Sequence, residues 1–184
     1  MPMIELLFIP GSLRQASSSR ATVRALIKRV EDSATCVTAD PGLLPHYNAD
    51  ILDDPAVKAF IDQIAHANGL VFVTPEYNYS VPGVLKNAID WASRPAMKSV
   101  FKDKHCFVMS VSGGALGGVR AQGHLKYSLN GMLAKVFACP EIVVPMANDK
   151  VENGLLTDER ILTFAEEQLR AFMTTLSESV PDIR

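Results

Sequence analysis

Long apolar runs are missing from this chain of 184 residues. No stretch approaches the ~18 consecutive apolar residues of a membrane span, and no Lys/Arg-flanked apolar leader opens the sequence, which together predict a cytoplasmic protein. Cysteine is scarce: Cys36, Cys106 and Cys139 are odd in number and widely spaced. They fit neither a disulfide framework nor a zinc site, and predict buried, reduced thiols. An excess of charge of either sign is also missing, the formal net charge being −2. That removes the basic footprint of a nucleic-acid binder and the acidic face of a docking protein. The histidines His66, His105 and His124 lack metal-ligand spacing, and nothing near His46 in sequence would orient it for acid/base work. No metal and no catalytic side chain is assigned.

What is present is an ordinary globular composition, 48% hydrophobic and 21% charged, in a length that predicts one domain over residues 1–184. Short runs rich in β-branched residues alternate with amphipathic stretches, the pattern of βαβ units and a parallel sheet. Five strands are predicted at residues 4–10, 34–39, 69–74, 105–112 and 141–146. Helical spacing marks Val23/Leu26/Ile27/Val30, Val57/Phe60/Ile61/Ile64, Val84/Leu85/Ala88/Ile89/Ala92, Leu125/Leu129/Met132/Leu133/Val136 and Ala165/Leu169/Phe172/Met173/Leu176. Pro82 is preset for the first turn of the third helix. Such an alternation is expected to fold as a flavodoxin-like, three-layer αβα sandwich around a five-stranded parallel sheet of order 2-1-3-4-5. In that order the loops after strands 1, 3 and 4 share one crevice at the switch point.

Those three loops are the ones with unusual composition. The first, Gly11-Ser12-Leu13-Arg14-Gln15-Ala16-Ser17-Ser18-Ser19, runs from a strand into a helix N-terminus, where free backbone N–H groups and the helix dipole favour an anion. It lacks the second Gly and the Lys-Ser/Thr pair of a nucleotide-hydrolysing loop, and the repeated glycines of a dinucleotide-binding turn. A terminal monophosphate fits it, with hydroxyls from Ser12, Ser17, Ser18 and Ser19 and a charge-assisted contact from Arg14. Helix capping alone would require one hydroxyl and explain neither the cluster nor Arg14.

In the second loop, Pro75-Glu76-Tyr77-Asn78 offers a rigid backbone and a flat side chain on which a planar heterocycle can rest. The third, Ser112-Gly113-Gly114, lets the main chain approach a ring closely. A flat ring with a phosphate at the far end of its tail describes FMN. Tyr79 and Trp91 suit surface, core or subunit packing at least as well as ring contact. Residues 43–50, on an edge away from the phosphate loop, could wall off a neighbouring active site in an oligomer.

Three motifs together resemble the NAD(P)H-dependent FMN reductases, a flavodoxin-like group that includes quinone, azo-dye and chromate reductases. They are Gly11-Ser12-Leu13-Arg14-x-x-Ser17, Pro75-Glu76-Tyr77-Asn78-Tyr79-Ser80-x-Pro82-Gly83-x-Leu85-Lys86-Asn87-Ala88-x-Asp90-Trp91, and Ser112-Gly113-Gly114-x-x-Gly117-Gly118-x-Arg120-x-Gln122-x-His124-Leu125. The resemblance runs from the first strand to the fourth helix. It implies FMN with its phosphate on Ser12, Arg14, Ser17, Ser18 and Ser19, and its isoalloxazine against Pro75, Glu76, Tyr77 and Asn78 and against Ser112, Gly113 and Gly114. Ser18 and Ser19 stand where relatives often carry an aromatic residue and Asn. The resemblance also implies NADPH or NADH as reductant, a quinone or similar acceptor served in alternation at one site, and a homodimer or homotetramer with Tyr47, Tyr79 and Trp91 near the subunit contact. A reductase that releases reduced flavin to a monooxygenase, and an electron carrier served only by protein partners, remain as other readings; the near-neutral charge speaks against the carrier.

Overall fold

The structure, a computed structural model, describes residues 3–178. Four long strands, β1 (Ile4–Pro10), β2 (Ala34–Thr38), β3 (Gly69–Pro75) and β4 (His105–Val111), alternate with helices α1 (Ser18–Val30), α2 (Pro55–His66) and α3 (Gly83–Ala92). Helix α4 (Val119–Gly131), the short strands β5 (Lys135–Val136) and β6 (Val143–Val144), a hairpin of β7 (Val151–Glu152) and β8 (Leu155–Leu156), and α5 (Glu159–Glu178) complete the order. All pairings within the main sheet are parallel, in the order β2-β1-β3-β4-β5 with β6 also on β4. The predicted flavodoxin-like sheet is present.

Period-two alternation explains both layers of core. Leu6, Phe8, Val71, Val73, Phe107 and Met109 point to one face, where they bury Val23, Leu26 and Val30 of α1 and Leu162, Leu169 and Phe172 of α5. Leu7, Ile9, Leu70, Phe72, Cys106 and Val108 point to the other, against Phe60 and Ile64 of α2, Leu85 and Ile89 of α3, and Leu125 and Leu129 of α4. Strands β1, β3 and β4 therefore read as nearly continuous apolar runs because both faces are covered. Among the described residues, no helix is long and apolar enough to cross a membrane.

Besides one-residue differences at the ends of β2, β3 and β4, three boundaries differ from expectation. The fifth strand is split: β5 pairs with His105 and Cys106 at the start of β4, and β6 with Ser110 and Val111 at its end. Phe137 N–H and Ile142 C=O still bond to Cys106 and Ser110, so the chain leaves the ladder only around Pro140, which has no N–H to give. Helix α4 stops at Gly131 rather than running to Val136, because the chain turns left-handed at Leu133 (φ 63°). Met132 and Val136 still pack on the core from outside the helix. Pro82 is the N-cap of α3, one position before its first turn.

Of the thiols only Cys106 is buried; Cys36 and Cys139 are half-buried. Burial pushes the Cys106 thiol up to about 12 and, with help from Glu31, the Cys36 thiol up to about 11. Neither is a nucleophile near neutral pH.

Candidate flavin site

The sheet order brings the carboxyl ends of β1, β3 and β4 together, and the three loops that follow meet there. At Gly11 the first loop crosses the third strand's end: Gly11 N–H bonds Val73 C=O at 3.0 Å. A β-carbon on Gly11 would stand 2.8 Å from Pro75 Cδ and 3.2 Å from Thr74 Cα, so only glycine permits this approach. Just beyond, Ser12 Oγ and the Tyr77 hydroxyl hydrogen-bond at 3.2 Å, joining the first and second loops.

Ser17 is the N-cap of α1, its Oγ accepting from Arg20 N–H at 3.2 Å and lying 3.3 Å from Ser19 Oγ. The amides of Ser18 and Ser19, at the first two helical positions, have no carbonyl four residues back to bond to. Ser12, Ser17 and Ser19 are buried, at 2%, 5% and 1% exposure, while Arg14 is exposed at the rim. These groups line a cleft of about 160 Å³ with Ser18, Pro75, Glu76, Tyr77, Ser112 and Gly113. Asn78 and Gly114 lie one residue further out along their loops. Asn78 (φ 47°) and Tyr79 (φ 67°) form the two-residue turn of a small hairpin closed by reciprocal Tyr77–Ser80 backbone bonds of 3.1 Å. Gly114 N–H donates to Ser112 Oγ at 3.1 Å.

Glu76 lines the cleft while its carboxylate is engaged by α4. Its Oε2 accepts from the backbone N–H groups of Arg120 (3.0 Å) and Ala121 (3.3 Å), and its Oε1 from the Arg120 guanidinium (3.1 Å). It thereby caps α4, whose own N-cap, Gly118, sits at φ 85° and has no side chain to offer.

The model of the NADPH-dependent FMN reductase family matches residues 4–149, most of the chain. The chain belongs to that family. An NAD(P)H-dependent FMN reductase of Pseudomonas aeruginosa is 38% identical over 172 residues, covering 91% of this chain and 92% of the relative. A quinone reductase of Escherichia coli K12 is 38% identical over 177 residues, covering 92% and 93%. Among solved structures, a flavoenzyme NAD(P)H:(acceptor) oxidoreductase of Paracoccus denitrificans superposes with a TM-score of 0.84 at 31% identity, covering 96% of this chain and 98% of that one.

The donor set of this FMN reductase family member fits a phosphate: two open helix amides, three buried hydroxyls and a guanidinium converge on one cleft. Sequence reasoning passed over three contributors. Asn148, in the turn after β6, accepts from Ser18 Oγ at 3.4 Å and shares the cleft with Val111. Their signal was the sheet order itself, since the loop after the fifth position must border the loop after β4. The third is Arg20, whose Nε donates to Ser12 C=O at 3.0 Å and whose Nη2 pairs with Asp40 at 3.0 Å, tying the phosphate loop to the end of β2.

Tyr47 and Trp91 lie elsewhere, in edge-to-face contact at 5.0 Å, with Trp91 Nε1 donating to Pro45 C=O at 2.8 Å. They strap the segment after β2 onto α3 and line a larger groove of about 580 Å³ with Arg94 and Leu52.

Proposed function

We propose that this chain, folded as a single flavodoxin-like domain, is an FMN-dependent oxidoreductase that takes reducing equivalents from NADPH or NADH and passes them to a quinone or similar small acceptor. The observation that carries this reading is the convergence of the three loops on one cleft whose lining carries five of the phosphate-type donors read from the sequence. Its size suits the narrow end of FMN: about 160 Å³ is less than the ~300 Å³ at which pockets begin to enclose a whole drug-sized ligand. The phosphate then belongs against Ser12, Arg14, Ser17, Ser18 and Ser19. The ring belongs at the mouth, between Pro75–Tyr77 and Ser112–Gly114.

Bound there, FMN supplies hydride exchange between nicotinamide and acceptor. The protein's share is position and electrostatics. Ser18 and Ser19 amides and Arg14 balance the phosphate charge, and the Ser12–Tyr77 bond holds the phosphate loop to the ring's wall. No side chain is asked to act as acid, base or nucleophile. The mouth, with the exposed Tyr77 in its lining and the exposed Tyr79 and Leu116 further along the same loops, leaves room for two substrates to use one face in turn. The same exposed residues, and Leu52 at 93% exposure in the larger groove, support a homodimer or homotetramer in which a second copy covers what one chain leaves open.

Purified protein loaded with FMN is expected to be yellow, to bleach rapidly with NADPH or NADH, and to turn over with a quinone, giving parallel initial-rate lines as both substrates are varied. Intersecting lines would contradict alternation at one site, and a protein that binds no FMN on titration would sink the reading.

A further inference from the structure

Helices α1 and α4 each follow one of the three crevice loops, and each presents there the positive end of its dipole, equivalent to about half an elementary charge. They are treated differently. In α1 the Ser17 cap takes the Arg20 amide and leaves those of Ser18 and Ser19 open to the cleft. In α4 the end is filled by the chain itself: the Glu76 carboxylate, its side chain only 11% exposed, accepts from two α4 amides and from the Arg120 guanidinium. That guanidinium lies 4.6 Å from the centre of the Tyr79 ring. The second loop is thus fastened to α4 by Glu76 before the hairpin turn and by Tyr79 within it.

We propose that Glu76 is a positioning residue for the flavin ring. Its carboxylate holds the Pro75–Tyr77 wall in place by docking on α4. The inference rests on the flavin site proposed above and assigns the Glu76 side chain no contact with the phosphate. Its effect on binding is therefore carried by the ring, which FMN and riboflavin share, and not by the phosphate that only FMN has.

The test compares FMN and riboflavin binding to apo-protein by fluorescence titration for the wild type, E76A, E76D and E76Q, with circular dichroism to establish folding. E76A is expected to weaken both ligands by the same factor, about tenfold, the size expected for a lost helix cap. E76D, whose carboxylate stops one methylene short of the α4 amides, is expected to do the same and serves alone if E76A does not fold. E76Q keeps an acceptor oxygen at the right reach. It is expected to remain within about threefold of the wild type for both ligands, with the visible spectrum of bound FMN unchanged. Unchanged affinity in E76A or E76D, a loss confined to FMN, or a loss in E76Q as large as in E76A would each overturn the proposal. A wild type that binds neither ligand would instead overturn the flavin site itself.

Discussion

At the scale of single residues, the cleft separates groups whose role follows from type and position from groups whose role depends on where a side chain turns. Ser12, Ser17 and Ser19 were legible, because a hydroxyl-rich turn between a buried strand and a helix leaves few places for its side chains other than the helix end. They are indeed buried there. Glu76 was not legible in the same way. Its backbone lies in the expected wall, but its carboxylate is drawn off by the uncapped α4, a demand made by Gly118 some forty residues later. Arg14, exposed at the rim with its backbone N–H bonded to Ser12 Oγ at 3.3 Å, supplies the cleft's one full positive charge. Arg14→Ala is expected to lower FMN affinity by the worth of a charge-assisted bond, about 1.5–3 kcal/mol, and to leave riboflavin affinity alone. Paired calorimetric titrations with the two ligands check this, and an equal loss for both would place Arg14 at the ring instead.

At the scale of elements, helices and strands were legible where one periodicity ran unbroken, and misread where chain reversals interrupted it. The pattern Leu125/Leu129/Met132/Leu133/Val136 keeps helical spacing although the helix ends at Gly131, because Met132 and Val136 are drawn to the same core face by a turn and a short strand. Apolar spacing reports the face, not the backbone that delivers it. The α1–α5 pair shows the complementary case of polar groups joining elements distant in sequence. Arg29 near the end of α1 pairs with Glu166 of α5 at 3.0 Å and also with Glu159, and Arg170 bonds Glu166 at 3.0 Å. The hydrogen bond from Arg29, and then that from Arg170, hold the Glu166 carboxyl below its ordinary 4.5. A carboxyl lowered in the folded state stabilises the fold above its unfolded value, and that contribution is lost as the pH falls through 4.5 and then through the folded value. Glu166→Gln is accordingly expected to cost up to about 1 kcal/mol at neutral pH, as a partly exposed ion pair does, with the deficit closing at an acid pH below the folded value. Urea unfolding at the two pH values measures it, and a deficit of equal size at both would show that the charge is not what matters.

At the scale of the whole molecule, the site depends on strand order more than on any motif. The order β2-β1-β3-β4-β5 makes neighbours of β1, β3 and β4, so three loops separated by some thirty to sixty residues of sequence share one rim. That adjacency was legible from the alternation of strands and helices together with the odd composition of the three loops. The turn that carries Asn148 was passed over although the same order sets it beside the loop after β4, because its composition, Ala147-Asn148-Asp149-Lys150, did not stand out as that of the other three loops did. The most direct test is a crystal structure of the protein grown with FMN. The account predicts the phosphate within hydrogen-bond distance of the Ser18 and Ser19 amides and the Ser12 and Ser17 hydroxyls, and the ring between Pro75–Tyr77 and Ser112–Gly114. A phosphate bound at any other helix end, or a ring lodged in the Tyr47–Trp91 groove, would contradict it.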